Sequence, residues 1–233
     1  SRFKRKKVLL VDIDPQGTSG ASLGIEIWKL ETQLKDVLQS ETATERKQRL
    51  KQAIVPVCDN RVDVLPSNIL LAVEELQISG LPGRENLLKR LLAEIDTEYD
   101  FILIDCPPNI GVFSINALKA SDGVIVPVDM SYVGLLGVQG VEYAFNLVKN
   151  FLDHDVNLLG VLATKFDGRQ KIGKDVLIYL QEHFKEDMFK VVIPTTVRIS
   201  EAPSFGISIF DHDPKGTGSK AYKDLLNEML KRL

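Results

Sequence analysis

The sequence predicts an α/β fold, a mostly parallel twisted sheet with helices on both faces, and three observations carry that prediction. Short uncharged apolar runs at Val8–Val11, Phe101–Ile104, Val124–Val128 and Leu158–Ala163 have the length and continuous apolar character of strands covered on both sides. Stretches with apolar residues three and four apart lie between them, as helices packing on one side require. Asp, Pro or Gly breaks each run, so strands alternate with helices in the order that builds parallel crossover units.

The elements follow in order. Val8–Val11 is closed by Asp12-Ile13-Asp14-Pro15-Gln16-Gly17, and a polar helical stretch is expected from about Gln33 to Ala53. Val62–Leu65 reads as a short strand ending at Pro66, Ile69–Leu76 as helical, and Glu85–Ile95 as a helix striped by Leu87, Leu88, Leu91, Leu92 and Ile95. After Phe101–Ile104 comes Asp105-Cys106-Pro107-Pro108, and the Asp122-Gly123 turn leads into Val124–Val128. Helix Leu135–Phe151, strand Leu158–Ala163, helix Asp175–Phe184, strand Phe189–Ile193 and helix Lys220–Leu233 complete the chain.

Composition bounds the function. The 233 residues, 44% hydrophobic and 26% charged, suit one globular domain spanning 1–233. A net charge of −3 excludes a uniformly basic nucleic-acid binder and leaves room for a local basic patch. No apolar run reaches the roughly 18 residues of a membrane span. Cys58 and Cys106 make neither a disulfide framework nor a zinc set, and without a visible signal peptide a reducing cytoplasm is the expected compartment.

Ligands of parallel sheets sit beyond the carboxyl ends of the strands, and those ends carry Asp12, Asp14, Asp105, Asp129 and Lys165. Acid-tipped strands supply hard oxygen ligands for magnesium and a group to orient water, as phosphoryl transfer needs. Asp also ends strands for reasons of turn chemistry alone. The convergence of Asp12, Asp14 and Asp105 favours a site, and the three are expected at one edge of the sheet.

Longer motifs add a resemblance. Val8–Gly17 resembles the second motif of ParA/MinD-type deviant Walker ATPases, and Phe101–Pro108 is similar to their Walker B strand with its proline turn. Ile193-Pro194 followed by Val197–Gly206 resembles their C-terminal signature, and Asn116–Leu118 and Ala120–Asp122 fit as well. Order and spacing match along essentially the whole chain, on the ParA/Soj branch. The resemblance implies a P-loop NTPase-like fold that uses ATP and Mg2+. Asp14 would hold and polarise the attacking water, Asp12 would support the nucleotide and switch region, and Asp105 would hold magnesium through a water. Pro194, Val197 and Pro203 would lie against the adenine. Arg198 matches a DNA-contacting arginine of the family, with an ion pair to Glu201 as the structural alternative. Lys165, Arg169, Lys171 and Lys174 form the densest basic cluster, read equally as a DNA-facing patch or a solvated turn.

The same resemblance implies a cytoplasmic, nucleoid-associated ATPase that dimerises on ATP, binds DNA without sequence preference and positions plasmid, chromosome or other cargo with a ParB-type partner. Two alternatives stand beside it. One is a MinD-like membrane-associated protein using Lys220–Leu233 as an amphipathic anchor, against which the stripe of that helix is also what a docking core helix needs. The other is a non-catalytic binding module, because the family's K-G-G-x-G-K-T loop is not found in these 233 residues. Ser1–Lys7 is expected to correspond to the tail of the family's first helix, with a strand, the loop and most of that helix preceding Ser1. The 233 residues by themselves are then expected to bind ATP poorly. Gly168–Asp175 imitates the loop but puts Asp175 where a magnesium-binding hydroxyl belongs, and Lys215–Lys220 has the wrong spacing.

Overall fold

The computed structural model of the protein describes residues 6–59, 61–151 and 154–233, so the expectation for Ser1–Lys7 falls almost wholly outside them. The contacts divide the chain into two compact units. One comprises residues 1–120 with 203–208, and the other 121–202 with 209–233.

The first unit is built on a four-stranded sheet. Strand β1 (Val8–Asp12) opens it, followed by helices α1 (Thr18–Ser22), α2 (Leu34–Leu38) and α3 (Ala43–Ala53). Strands β2 (Val55–Val57) and β3 (Val62–Leu65), helices α4 (Leu71–Ile78) and α5 (Leu87–Leu92), strand β4 (Phe101–Asp105) and helix α6 (Val112–Ala120) complete it. The sheet order is β2-β3-β1-β4, parallel except for the antiparallel β2. Alternation along β1 decides the packing: Leu9 and Val11 are fully buried among α2–α6, while Leu10 packs on the opposite face with Ile25, Ile27, Val57 and Val64. Strand β4, expected to be buried, is only half covered, with Leu103 48% exposed. It pairs with β1 alone among the described residues.

Two expected helices are split, and each split has a cause. The stretch Gln33–Ala53 breaks at Gln39–Thr42 because Thr42 starts a new helix: its hydroxyl accepts from Glu45 N at 3.1 Å, the T-x-x-E arrangement of a capping box. Glu85–Ile95 begins as a 3₁₀ turn, Arg84–Asn86. There the buried Asn116 of α6 accepts from Leu88 N at 3.0 Å, an amide that a helix start leaves without an intrahelical partner, and donates to Arg84 O at 2.8 Å.

The second unit contains strand β5 (Gly123–Asp129), helix α7 (Tyr132–Phe151), strand β6 (Asn157–Thr164), and helices α8 (Lys171–Phe184), α9 (Val197–Glu201), α10 (Ile209–His212) and α11 (Thr217–Met229). Strands β5 and β6 are parallel. Val161 and Ala163 of β6 pack with Val176 and Leu180 of α8, and Leu162 faces Leu225 and Met229 of α11. Of the apolar stripe expected on Lys220–Leu233, Leu225 and Met229 thus dock onto the core of their unit, while Tyr222 and Leu233 stay exposed. Helix α8 starts four residues before the expected Asp175, so Lys171–Asp175 is its first turn and not a loop.

The expected strand Phe189–Ile193 does not form. The segment touches β6 only through isolated bridges, Val161 to Met188 and Phe166 to Pro194. Phe189 N donates to Val161 O and Ile193 N to Ala163 O, both at 2.9 Å. The intervening rung is lost because Glu228 of α11 takes Lys190 N at 2.9 Å and Val191 N at 3.1 Å. Burial works against ionisation of Glu228, yet these donors and Arg232 hold its carboxyl below the usual range. Arg232 donates to Leu159 O and Met188 O at 2.8 Å each, to Asp187 O at 3.1 Å and to Glu228 at 3.0 Å, and stacks over Phe189.

That clamp sets the first prediction. Arg232→Ala leaves three carbonyls and the Glu228 carboxylate short of donors and lowers the unfolding free energy by about 2–4 kcal/mol. Arg232→Lys recovers less than half of the loss, since an ammonium cannot reproduce the planar fork. Urea denaturation of the purified protein measures both; equal stability of the Lys and Arg forms contradicts the clamp.

Candidate functional site

The site grows from the pairing of β1 with β4. These strands are parallel and in register, with Asp12 opposite Asp105, so two carboxylates leave the sheet side by side at its carboxyl edge. Ile13 N donates to Asp105 O at 3.0 Å and carries the pairing one residue further. The chain then turns at Asp14–Gly17, closed by Gly17 N on Asp14 O at 2.9 Å. Gly17 is required there: its φ is +64°, and a Cβ would lie 2.5 Å from Ser67 O in the loop after β3. The turn brings Asp14 and Ser19 back over the strand ends.

Hydrogen bonds distinguish the three acids. Asp12 has no accessible surface and is saturated: Oδ1 accepts from Asp14 N at 3.0 Å and Oδ2 from Ser19 N at 3.1 Å, with Gly20 N adding a further bond. Burial raises its carboxyl to about 6, Asp105 adds to the rise, and the backbone donors offset part of it. Asp105 accepts the Ser19 hydroxyl on Oδ2 at 2.5 Å, and its Oδ1 has no donor among the described residues. Asp14 accepts Gln16 N on Oδ1 at 2.9 Å, and its Oδ2 is likewise open. The Cys106 thiol reports the same field. Desolvation of the sulfur, then the charges of Asp105 and Asp14, push it up to about 12.

One further contact fixes the loop after β4. Glu75 of α4 accepts Val112 N at 3.1 Å at the start of α6. Gly111 leaves room for that carboxylate, which a side chain at this position would strike. Neither Ser19 nor Glu75 was identifiable beforehand: a lone Ser in a turn and a Glu on a helix carry no signal of the carboxylate or amide they will meet.

The other expected site residues are divided between the two units. Pro203 belongs to the first unit, whereas Pro194, Val197 and Arg198 belong to the second. Arg198 pairs with Glu201 at 3.0 Å, and its side chain remains 63% exposed. Lys165 adopts a left-handed φ of 51° after β6 and pairs with Asp129 at 3.1 Å. Arg169 pairs with Asp167 at 2.8 Å, and the guanidinium holds that carboxyl well below the usual range. Lys171 and Lys174, in the first turn of α8, have no ion-pair partner among the described residues.

These features, a parallel sheet with acids at its carboxyl edge behind a D-x-D-P-x-G turn, define a nucleotide-handling α/β class, and comparison narrows it. Residues 2–158 match the family described as AAA domain. The chain is 39% identical over 224 residues to the sporulation initiation inhibitor protein Soj of Bacillus subtilis, covering 96% of this chain and 86% of that protein. It is 34% identical to the chromosome partitioning protein ParA of Myxococcus xanthus, covering 97% of this chain and 78% of that one. Among solved structures, a Mycobacterium smegmatis protein described as cobyrinic acid a,c-diamide synthase with bound ATP analog and magnesium superimposes with a TM-score of 0.81 at 32% identity, over 97% of this chain and 82% of that chain. The chain belongs to the ParA/MinD family of AAA-domain proteins.

The saturation pattern predicts different costs for the two acids of β1 and its turn. Asp12→Ala strips the acceptor from buried amides and lowers stability by about 2–3 kcal/mol, whereas Asp14→Ala costs less than about 1 kcal/mol. Chemical denaturation of the two variants checks the order; a larger loss at Asp14 contradicts it.

Proposed function

We propose that the protein is a ParA-like partitioning ATPase that uses ATP and Mg2+, dimerises in the ATP state, binds DNA without sequence preference and positions cargo with a ParB-type partner. The observation that carries the reading is the pair of open carboxylate oxygens, Asp105 Oδ1 and Asp14 Oδ2, at the carboxyl edge of a parallel sheet. Magnesium keeps most of its waters and leans on one or two carboxylates plus substrate phosphates, so it needs no protein cage. The described residues offer none: no group of three or more acidic, His or Cys side chains is placed to hold a metal. The donor set therefore fits magnesium in a nucleotide complex. Asp105 would hold it, and the bound cation would neutralise phosphate charge.

The chain's own residues divide the remaining work. Asp14 orients the attacking water through its open oxygen, while Asp12, saturated by amides, holds the turn that places Asp14. Arg198 and the Lys165, Arg169, Lys171 and Lys174 cluster supply phosphate contacts on DNA. Exposed ion pairs are worth about 0–1 kcal/mol, so the single-contact Arg198–Glu201 pair gives way readily to a phosphate, whereas Arg169 holds Asp167 through two hydrogen bonds. Phosphate contact ignores sequence, which suits a protein that uses the nucleoid as a surface. Leu225 and Met229 of α11 pack with the core of their unit, which favours this reading over an anchor that would need them in lipid.

Two outcomes test it, in protein expressed from its complete reading frame. Asp14→Ala retains ATP binding and ATP-dependent dimerisation but hydrolyses about 10²-fold more slowly, because only the water-orienting group is lost. Parallel binding and single-turnover assays measure this, and a matching loss of affinity and turnover assigns Asp14 another role. Arg198→Glu weakens retention on DNA equally across sequences and lowers the slope of log affinity against log salt by about 1–2. A salt titration in which neither changes makes Arg198 purely structural.

A further inference from the structure

We propose that Ser19 is a positioning residue that fixes the Asp105 carboxylate for the divalent cation, an inference that rests on the ATPase reading above. Among the described residues Ser19 is the one that hydrogen-bonds to the side chains of both strand-end acids. Its backbone N–H donates to Asp12 Oδ2 at 3.1 Å, and its hydroxyl donates to Asp105 Oδ2 at 2.5 Å. The two acids are cross-strand neighbours, so without a donor between them their charges would turn the Asp105 side chain away from Asp12. Ser19 removes that freedom. With Oδ2 engaged, Oδ1 is the oxygen left for an external partner.

The backbone explains why Ser19 reaches both groups. The Asp14–Gly17 turn and the left-handed Gly17 return the chain over the strand ends, and α1 begins at Thr18. Ser19 therefore sits at a fixed height above β1 and β4, with its amide already spent on Asp12. Its hydroxyl is free to serve Asp105 alone. Groups that orient a metal-binding carboxylate through a hydrogen bond typically change metal affinity or activity by about 10–100-fold when removed.

The test uses protein from the complete reading frame, unaltered and as Ser19→Ala and Ser19→Thr. Mn2+ is the probe, and its affinity in the presence of a non-hydrolysable ATP analogue is read by electron paramagnetic resonance. Unfolding temperature is recorded without metal or nucleotide. Ser19→Ala weakens Mn2+ binding about 10-fold or more, while Ser19→Thr, which keeps the hydroxyl, stays within about threefold of the unaltered protein. The metal-free unfolding temperature of Ser19→Ala falls by no more than about 4 °C, the shift expected when one partly buried side-chain hydrogen bond is lost. Unchanged Mn2+ affinity in Ser19→Ala, equal weakening in Ser19→Thr, or a Ser19→Ala protein that does not fold each overturns the positioning role alone. Failure of the unaltered protein to bind Mn2+ with the nucleotide analogue overturns the ATPase reading, and this inference with it.

Discussion

Asp12 opposite Asp105 in a parallel, in-register strand pair is the constraint on which the first unit depends. Parallel strands present equivalent positions at the same edge, so ending both on Asp puts two negative charges together where water is partly excluded. Such an arrangement persists only if donors surround it. The chain meets this need locally, with the Asp14, Ser19 and Gly20 amides on Asp12 and the Ser19 hydroxyl on Asp105. The shape of the segment from Ile13 to Ser22 follows. It must fold back over its own strand, so it needs a tight turn, a glycine in the left-handed region and a short helix whose first amides face the strand end.

The division of labour among the acids follows from saturation more than from burial. Asp12 is the most buried of the three and the least available, because each of its oxygens already has a donor. Asp105 and Asp14 are half-exposed, and each keeps one oxygen open. A buried acid with a raised pKa invites assignment as a catalytic group. Here desolvation raises Asp12, and the same desolvation denies water access to it. The hydrogen bonds tie Asp12 into the turn over its own strand and leave one oxygen open on each of the other two acids among the described residues.

Much of this was legible in the sequence because the relevant signals are local. Apolar run length located β1, β3, β4, β5 and β6, and the acids that end β1 and β4 were placed at one edge by topology alone. The failures have physical causes of a different kind. Strand β2, a three-residue antiparallel edge element carrying Pro56, has no periodicity to detect. The break between α2 and α3 was present as Thr42-x-x-Glu45 and went unused, since the polar stretch around it looked uniformly helical. Phe189–Ile193 has strand composition and fails as a strand because Glu228, nearly forty residues away, takes two of its amides. Ser19 was missed for the same reason: its role lies in a partner 86 residues distant.

The same contrast separates the two kinds of cation in the second unit. Arg232 reaches three backbone carbonyls, a carboxylate and an aromatic ring, so its charge is consumed in holding α11 to the start of β6. Arg198 and Arg169 each meet one carboxylate near in sequence and stay largely in solvent. A guanidinium with many partners is costly to move, whereas one with a single exposed partner exchanges it at little cost. Sequence alone gives all three the same residue type and a nearby acid. Partner number and exposure decide that Arg232 is architecture, whereas Arg198 and Arg169 are each tied to one neighbouring carboxylate at the surface.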